Sequence, residues 1–232
     1  MKKIIYSILA IFTFCSSSLK AQEFFDTSDP DRFFTIGARV GFNTSNRTFP
    51  EGPYVNTVLT SWGTGFNAGV VANLNIKDYL TIQPGFFYES RSSNLINIAE
   101  YSNVSSTKST YYEKDHLLGY YFTVPVMGVV NFNLSDDIRW NVEFGPYLQF
   151  TLKQKGQNNV TIISLPNEHN GHTHFYGKPK SFDFGFKMGS GLTFFEHYYV
   201  GFHYMAGVLD AWKIPAGGNN RAWTFTLGYN FM

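Results

Sequence analysis

The chain has 232 residues, of which 18 are basic and 17 acidic; 15% are charged and 19% are aromatic. An average soluble domain has about 25% charged residues, and the nearly balanced charge provides no basic surface for nucleic acid. The single cysteine, Cys15, lies in the first 21 residues, so the rest of the chain cannot form a disulfide or a cysteine-ligated metal site.

The start of the chain has the pattern of a secretory signal peptide. Two lysines precede the apolar run Ile4–Phe14, which is too short to cross a bilayer, and Ala21 is a small residue at the expected cleavage site. Cleavage there removes three lysines and leaves 15 basic residues against 17 acidic ones. We therefore expect residues 1–21 to be a signal peptide and residues 22–232 to form one exported domain.

Eight segments of the remaining chain alternate apolar and polar residues, which is the period of a β-strand with one apolar face. In the first of them Phe34 and Val40 lie on the apolar face. Three prolines remove backbone donors within these segments, so we expect β-bulges at Pro84, Pro125 and Pro146. The expected strands, in chain order, are Phe33–Asn43, Trp62–Asn75, Tyr79–Arg91, Leu117–Asn133, Ile138–Lys153, Ser181–Phe194, Tyr198–Val208 and Arg221–Met232.

The connections between these strands alternate long and short. Outer-membrane barrels show this asymmetry, because one side of the membrane has tight turns and the other has extended loops. No segment after the signal peptide has 18 consecutive apolar residues, so strands rather than helices would cross a membrane. The expected long loops are Thr44–Ser61, Ser92–His116, Gln154–Lys180 and a fourth that ends at Asn220, and the tight turns are Asn75–Asp78, Leu134–Asp137 and Phe195–His197.

Alternation alone does not say which face lies inside, and a secreted lipocalin-like barrel with an apolar interior is the main alternative. Eight strands enclose an interior barely wide enough for side chains, whereas the apolar faces together carry roughly forty large residues. We therefore predict an all-β, eight-stranded antiparallel up-and-down transmembrane β-barrel. Its apolar face contacts lipid, its turns on the periplasmic side are short, and its extracellular loops are long.

Aromatic residues recur at both ends of the apolar faces, where the two bilayer interfaces would lie. On this assignment Phe184→Arg should cost about 2–4 kcal/mol, whereas Gly185→Ser on the polar face should cost much less. The aromatics near the tight turns are Phe34, Tyr79, Phe132, Trp140, Phe194, Tyr198 and Phe231, and those near the long loops are Phe42, Trp62, Tyr88, Tyr120, Phe150, Phe182, Tyr204 and Trp223.

Charged residues on the polar faces are the main candidate site. They are expected to interlock across the lumen as hydrogen-bonded ion pairs that fill the interior, and the alternative is a narrow or gated ion path. The expected lumen polar network comprises Arg39, Glu89, Arg91, Arg139, Glu143, Lys153, Asp183, Lys187 and His203.

Three histidines in the third long loop, His169, His172 and His174, are weak candidates for a metal site, because neutral imidazole binds zinc, copper or nickel. A solvated loop tip is the other interpretation of this polar segment. The sequence has no Gly-x-Ser-x-Gly, His-Glu-x-x-His or phosphate-binding glycine motif. We therefore name no catalytic residue and no cofactor.

Several short motifs resemble those of the PorT-like small outer-membrane β-barrel family of Gram-negative bacteria. The resemblance covers about Phe33 to Met232 and implies an outer-membrane location and, in some members, a part in protein secretion. The segments that carry it are Gly37–Asn43, Tyr121–Pro125, Gly145–Tyr147, Phe182–Gly185 with Gly189–Gly191, and Leu227–Phe231.

These observations predict a non-enzymatic outer-membrane barrel that works through its surface loops as a structural, adhesive or secretion-associated component. A narrow porin-like channel is the alternative. The expected partners are outer-membrane lipid and lipopolysaccharide, the barrel-insertion machinery through the C-terminal strand, and unidentified surface or secretion partners, without nucleic acid.

Overall fold

Nine β-strands make up the regular structure of the residues described. The computed structural model describes residues 24–48, 57–102, 108–164, 167–171, 180–210 and 219–231, so the expected signal peptide lies outside the described residues. Within the described ranges no helix is long and apolar enough to cross a membrane. The strands are β1 (Phe34–Thr48), β2 (Thr57–Lys77), β3 (Leu80–Ser102), β4 (Lys108–Ser135), β5 (Ile138–Ser164), β6 (Asn167–Gly171), β7 (Phe182–Phe194), β8 (Tyr198–Asp210) and β9 (Asn219–Phe231).

Eight of the strands close into the predicted antiparallel barrel. Each pairs with its neighbours in the order β1, β2, β3, β4, β5, β7, β8, β9, and β9 pairs back onto β1 from Phe231↔Ile36 to Asn219↔Thr48. The predicted tight turns are confirmed at residues 78–79, 136–137 and 195–197, all at one end, which we call the turn end. The short β6 was not predicted; it pairs with the far end of β5.

The apolar face points out of the barrel. In β1, Val40 and Phe42 are 58% and 55% exposed, whereas Arg39 and Asn43 are 4% and 1% exposed. The same alternation runs through β5, β7 and β9. On the outside, rings of neighbouring strands contact each other, as Phe144 does with Phe186 at 5.9 Å between centroids. A lipocalin-like barrel with an apolar interior is therefore excluded.

Much of the chain expected as long loops is paired strand. β3 continues to Ser102 and β4 begins at Lys108, so the expected loop Ser92–His116 is mostly a hairpin whose register runs to Ser102↔Lys108. β5 likewise continues to Ser164 within the expected loop Gln154–Lys180. The sequence signal failed here because hydrophobic alternation exists only where one strand face meets an apolar phase, whereas backbone pairing needs only an adjacent strand.

The prediction of bulges at the three prolines was wrong. The register on either side of Pro84 is the same, from Val71↔Gly85 to Leu74↔Ile82, and the pairs that flank Pro125 and Pro146 also keep one register. A missing donor therefore weakens the ladder locally without inserting a residue. Register shifts occur instead at Trp62/Asn67, Asn75/Lys77, Tyr120/Tyr121, Asn133/Ser135 and Ala206/Asp210.

The segment before β1 folds over the turn end. Phe25 lies 4.4 Å from the ring of Tyr79, and the Asp78 N–H donates to the Ser28 carbonyl over 3.2 Å. The Ser28 N–H donates to the Asp26 carboxylate over 2.8 Å, which holds the pKa of Asp26 below its ordinary value. This segment therefore forms part of the rim through which the lumen opens.

Candidate functional site

Glu143 on β5 is the centre of the buried polar layer closer to the turn end. The Tyr199 hydroxyl donates to its Oε1 over 2.5 Å, and His203 Nε2 lies 3.0 Å from its Oε2. The Arg39 guanidinium lies 4.5 Å from the centre of the Tyr199 ring, a cation–π distance. These four side chains come from three strands, β1, β5 and β8, and all are buried.

Glycines explain how side chains of non-adjacent strands meet. Gly189 on β7 pairs with Glu143 on one side and with His203 on the other, so the two side chains approach across a residue that has none. Gly228 on β9 pairs in the same way with Arg39 and with Tyr199. A Cβ at Gly189 would lie 2.3 Å from His203 Cδ2, and one at Gly228 would lie 2.4 Å from Arg39 Cδ. The contact between Glu143 and His203 and the contact between Arg39 and Tyr199 therefore each depend on a glycine between the two partners.

A second buried layer lies farther from the turn end around Arg91. Its Nε donates to Glu89 Oε2 over 2.9 Å and its Nη2 contacts the same oxygen, while Nη1 lies 3.5 Å from the Gln149 side chain. Asn220 donates to Asp183 Oδ2 over 2.8 Å at the edge of this layer. Both Glu89 and Arg91 extend inward from β3 because they are two residues apart and so share a face.

The two layers fill the middle of the lumen. The two smaller spaces found beside them hold only about 10 Å³ each, roughly the room of one water molecule. Lys187 lies beside one of them, with Nζ 5.1 Å from the centre of the Phe87 ring. The buried cations are Arg39, Arg47, Arg91 and Lys187, and the buried carboxylates are Glu89, Glu143 and Asp183.

Two residues of the expected network lie elsewhere. Lys153 is exposed, because the register shift at Tyr120/Tyr121 inserts one residue into β5 and turns Gln154 towards Tyr121, whose hydroxyl accepts a bond from its Nε2 over 2.8 Å. Arg139 is at the turn-end rim, one third exposed, and contacts Asp78 at 3.1 Å. The structure places the other seven, including His203, in the lumen.

Four large aromatic residues of the interior were not part of the expected lumen polar network. Phe87, Tyr121, Tyr147 and Tyr199 are all at most 5% exposed. A signal for three of them exists, because Gly85, Gly119 and Gly201 lie two residues from the ring that covers them. On a polar strand face, an aromatic residue two positions from a glycine can lay its ring over that glycine. This spacing would have predicted that the ring lies along the strand inside the barrel.

The expected tolerance of Gly185→Ser has lost its basis. A Cβ at Gly185 would lie 2.2 Å from the Ala206 carbonyl oxygen and 2.7 Å from the Tyr147 ring. The inner face is therefore polar but too crowded at this position to admit a hydroxymethyl group.

The histidine candidates are only partly covered by the structure. His169 belongs to β6 and pairs with Ile162, while His172 and His174 lie outside the described residues. Across the ranges that the structure covers, no group of three or more histidine, cysteine or carboxylate residues is placed to hold a metal ion.

The lumen opens at the turn end into a polar cavity of about 300 Å³, which we call the turn-end vestibule. Its inner end is closed by Arg39, Glu143 and Tyr199, which belong to the buried layer around Glu143. We call this inner end the floor. Its walls are mostly amides and hydroxyls, and residues Pro30, Asp31 and Arg32 of the N-terminal segment lie at its rim.

At the opposite end the strands continue far beyond the outer aromatic residues. From Tyr88 to Ser102, β3 extends by roughly 45 Å at about 3.3 Å per residue. The pairs Thr57↔Ile98, Ile98↔Tyr112, Tyr112↔Thr161 and Thr161↔Asn170 form one continuous row across five strands. We call this paired region the outer sheet; it comprises residues 57–62, 93–102, 108–117, 156–164 and 167–171.

Comparison with known proteins places this geometry in context. A family model described as "Outer membrane protein beta-barrel domain" matches residues 20–212. No curated protein sequence matches the chain.

Three solved structures show the range of structural likeness. Ail, the attachment invasion locus protein of Yersinia pestis, solved with the heparin analogue sucrose octasulfate, has 13% identity and a TM-score of 0.40 over 86% of this chain and 100% of that chain. Neisserial surface protein A has 11% identity and a TM-score of 0.37 over 86% and 98%. The N-terminal β-barrel domain of Pseudomonas aeruginosa OprF has 13% identity and a TM-score of 0.29 over 83% and 97%.

Proposed function

Because the chain belongs to the outer membrane protein beta-barrel domain family, we propose that it is a non-enzymatic outer-membrane protein that acts through the outer sheet. The turns are on the periplasmic side and the outer sheet is on the extracellular side. In this role the barrel is an anchor, and the outer sheet is a structural, adhesive or secretion-associated surface.

The filled lumen is the observation that carries this proposal. Glu143 and His203 come from non-adjacent strands and contact each other across the interior at 3.0 Å, and Arg91 is bonded to Glu89 of its own strand. The spaces of about 10 Å³ beside them are too small for a hydrated ion to pass. If nothing passes through the lumen, the protein must act through a surface that lies outside the bilayer. The largest such surface in the described residues is the outer sheet.

The length of the outer sheet supports the same role. A tilted strand crosses a bilayer with about 9–11 residues, whereas β4 has 28 residues and β5 has 27. Continuous backbone pairing makes this projection stiffer than a loop, so it can present a fixed surface well above the lipid. The PorT-like motifs of the sequence make secretion the first cellular process to test.

Other parts of the chain fit export and insertion. We propose that residues 1–21 are cleaved as a signal peptide, and that β9, which ends in Tyr229 and Phe231, is recognised by the barrel-insertion machinery. Lys153 is exposed near the outer aromatic pair Phe150 and Phe182. A cation at this level is suited to bind lipopolysaccharide phosphate.

The test shortens the outer sheet without touching the barrel. Asn94 and His116 pair in register, so residues 95–115 can be replaced by a two-residue Asn-Gly turn. We expect this variant to keep heat-modifiable migration on a denaturing gel and to lose the adhesion or secretion phenotype of the wild type. The control exchanges only residues 103–107 for a glycine–serine linker. Unchanged adhesion and secretion in the shortened variant would contradict the proposal.

A narrow channel is the second candidate function. The turn-end vestibule favours a channel because it leaves the lumen open from the turn end as far as Arg39. Single-channel recording in a planar bilayer separates the two. The anchor predicts no steady conductance for the wild type, and a Glu89→Ala/Arg91→Ala variant, which empties part of the second layer, is the positive control. Steady wild-type conductance would support the channel instead.

A further inference from the structure

The proposed function of the outer sheet does not involve the turn-end vestibule, which is at the opposite end of the barrel. We propose that it binds a small polar solute that carries a carboxylate, taken from the side of the membrane on which the turns lie. The carboxylate would contact Arg39 at the floor, and the polar body of the solute would contact the amide wall. Three features of the vestibule support this assignment.

The first feature is the state of Arg39. Its Nη2 donates to Asn230 Oδ1 over 2.7 Å, and its Nη1 lies 3.1 Å from the Ala38 carbonyl and 3.4 Å from that of Tyr229. Among the described residues no carboxylate lies within 4 Å of its guanidinium nitrogens, although it is only 4% exposed.

The nearby carboxylate is already engaged, because both oxygens of Glu143 are bonded to Tyr199 and His203. A buried guanidinium that no carboxylate contacts directly keeps unmet hydrogen-bonding demand. Carboxylate is the group that its planar array of donors matches best. Arg39 is therefore a preformed anion contact at the closed end of the cavity.

The second feature is the spare hydrogen-bonding capacity of the wall. Asn141 donates one N–H to Asn131 and accepts one bond from Thr193, at 2.7 and 2.9 Å. Gln83 donates one N–H to Asn73 over 2.7 Å. Each amide has two donors and two lone pairs, so Asn141 and Gln83 each keep at least one donor and one acceptor for a guest. Such a wall suits hydroxyl or amide groups.

The third feature is that the rim supplies no net positive charge, because its two cations, Arg32 and Arg139, stand against the three carboxylates Asp31, Asp78 and Glu196. Arg139 lies 3.1 Å from Asp78 and 3.8 Å from Glu196. Asp31 and Arg32 add one charge of each sign on the N-terminal segment, which is held by Asn75 through the Phe33 and Arg32 carbonyls. Selectivity for an anion therefore comes from Arg39 and not from the rim.

The size of the vestibule limits the guest. A volume of about 300 Å³ is at the lower end of small-molecule sites. It suits a single sugar acid or a dipeptide, which share the carboxylate and the hydrogen-bonding body and differ in whether hydroxyls or amides contact the wall.

The experiment measures binding to the full exported chain in lipid nanodiscs by isothermal titration. The probes are glucuronate and alanyl-alanine, and glucose is the neutral comparison. We expect at least one of the two carboxylate probes to bind and glucose to bind at least tenfold more weakly. The probe that binds identifies the body of the solute as sugar acid or peptide.

Variants locate the site. Arg39→Gln should weaken the binding of the carboxylate probe at least tenfold, whereas Lys77→Gln, which removes a cation at the same end but outside the vestibule, should leave binding unchanged. Heat-modifiable migration checks that each variant is folded. If Arg39→Gln does not fold, Gln83→Leu takes its place, with an expected loss of at least threefold.

Two results would overturn the proposal. The first is no binding of either carboxylate probe to the wild type at about 10 mM, an affinity below any useful site. The second is wild-type binding by a folded Arg39→Gln or Gln83→Leu variant, which would place the contact elsewhere on the protein.

Discussion

Gly189 separates Glu143 from His203, and Gly189→Ala is the sharpest test of the buried network. The added Cβ would lie 2.3 Å from His203 Cδ2 and 2.6 Å from the Phe202 carbonyl oxygen. The second of these atoms belongs to the backbone, so rotation of the histidine ring cannot relieve both overlaps. The matched control is Gly128→Ala on the outer face of β4, where the nearest atom would be Phe144 O at 3.5 Å, an ordinary contact.

The expected cost follows from these distances. Overpacking of a filled interior costs about 1–3 kcal/mol, and loss of the bond between His203 and the Glu143 carboxylate adds roughly 1.5–3 kcal/mol. Replacing glycine by alanine at a compatible site stabilises by about 0.4–1 kcal/mol through the unfolded chain. We therefore expect Gly189→Ala to destabilise by about 2–5 kcal/mol and Gly128→Ala to be neutral or stabilising.

The assay is reversible unfolding in denaturant with lipid vesicles present, followed by tryptophan fluorescence and by gel migration. A second readout is specific to the network: Glu143→Gln should cost less in the Gly189→Ala background than in the wild type, because the contact is already broken. Equal stability of the two glycine variants, or additive costs in the Glu143 cycle, would refute the reasoning.

Three further predictions use the same assay. Phe144→Arg, between the interface aromatics Trp140 and Phe150 of β5, should cost about 2–4 kcal/mol because it places a charge in lipid, whereas Phe144→Leu should cost less than about 1.5 kcal/mol; similar costs would contradict the lipid-facing assignment. Arg91→Met should cost about 3–5 kcal/mol because Glu89 is left buried and unpaired, and adding Glu89→Gln should recover much of the loss; no recovery would argue against the pair. Phe25→Ala should cost about 0.5–1.5 kcal/mol through its contact with Tyr79, while Phe33→Ala, whose ring is 63% exposed, serves as the control that should change little; equal losses would mean that the N-terminal segment is not docked by Phe25.

The strand faces could be predicted from sequence wherever one face meets lipid. In β5, Phe144 and Leu148 are exposed and Glu143 is buried, as the alternation of apolar and polar residues required. The prediction failed at Lys153 because one inserted residue reverses every later side chain. It also failed beyond Ser92, because apolar and polar residues of the outer sheet do not alternate regularly.

The contacts of the candidate site could not be predicted in the same way. Glu143 and His203 are 60 positions apart and are on strands that do not pair with each other. Their meeting depends on the register of β5 with β7 and of β7 with β8, which the closure of the whole barrel determines. Local patterns indicate that a residue points inward, but they do not indicate which other inward residue it will contact.

Glycine makes a filled lumen compatible with a narrow barrel. Eight strands leave room for few large side chains at any one level, yet this interior holds Arg39, Glu143, Tyr199 and His203 in a single layer. The layer fits because the strand positions between these residues are Gly189 and Gly228. At each of these positions two long side chains can meet because the residue between them has no side chain. A conducting barrel of this size would need small or short side chains at those levels. The pairing of long polar residues with glycines is thus the feature of this sequence that argues most directly for a closed barrel.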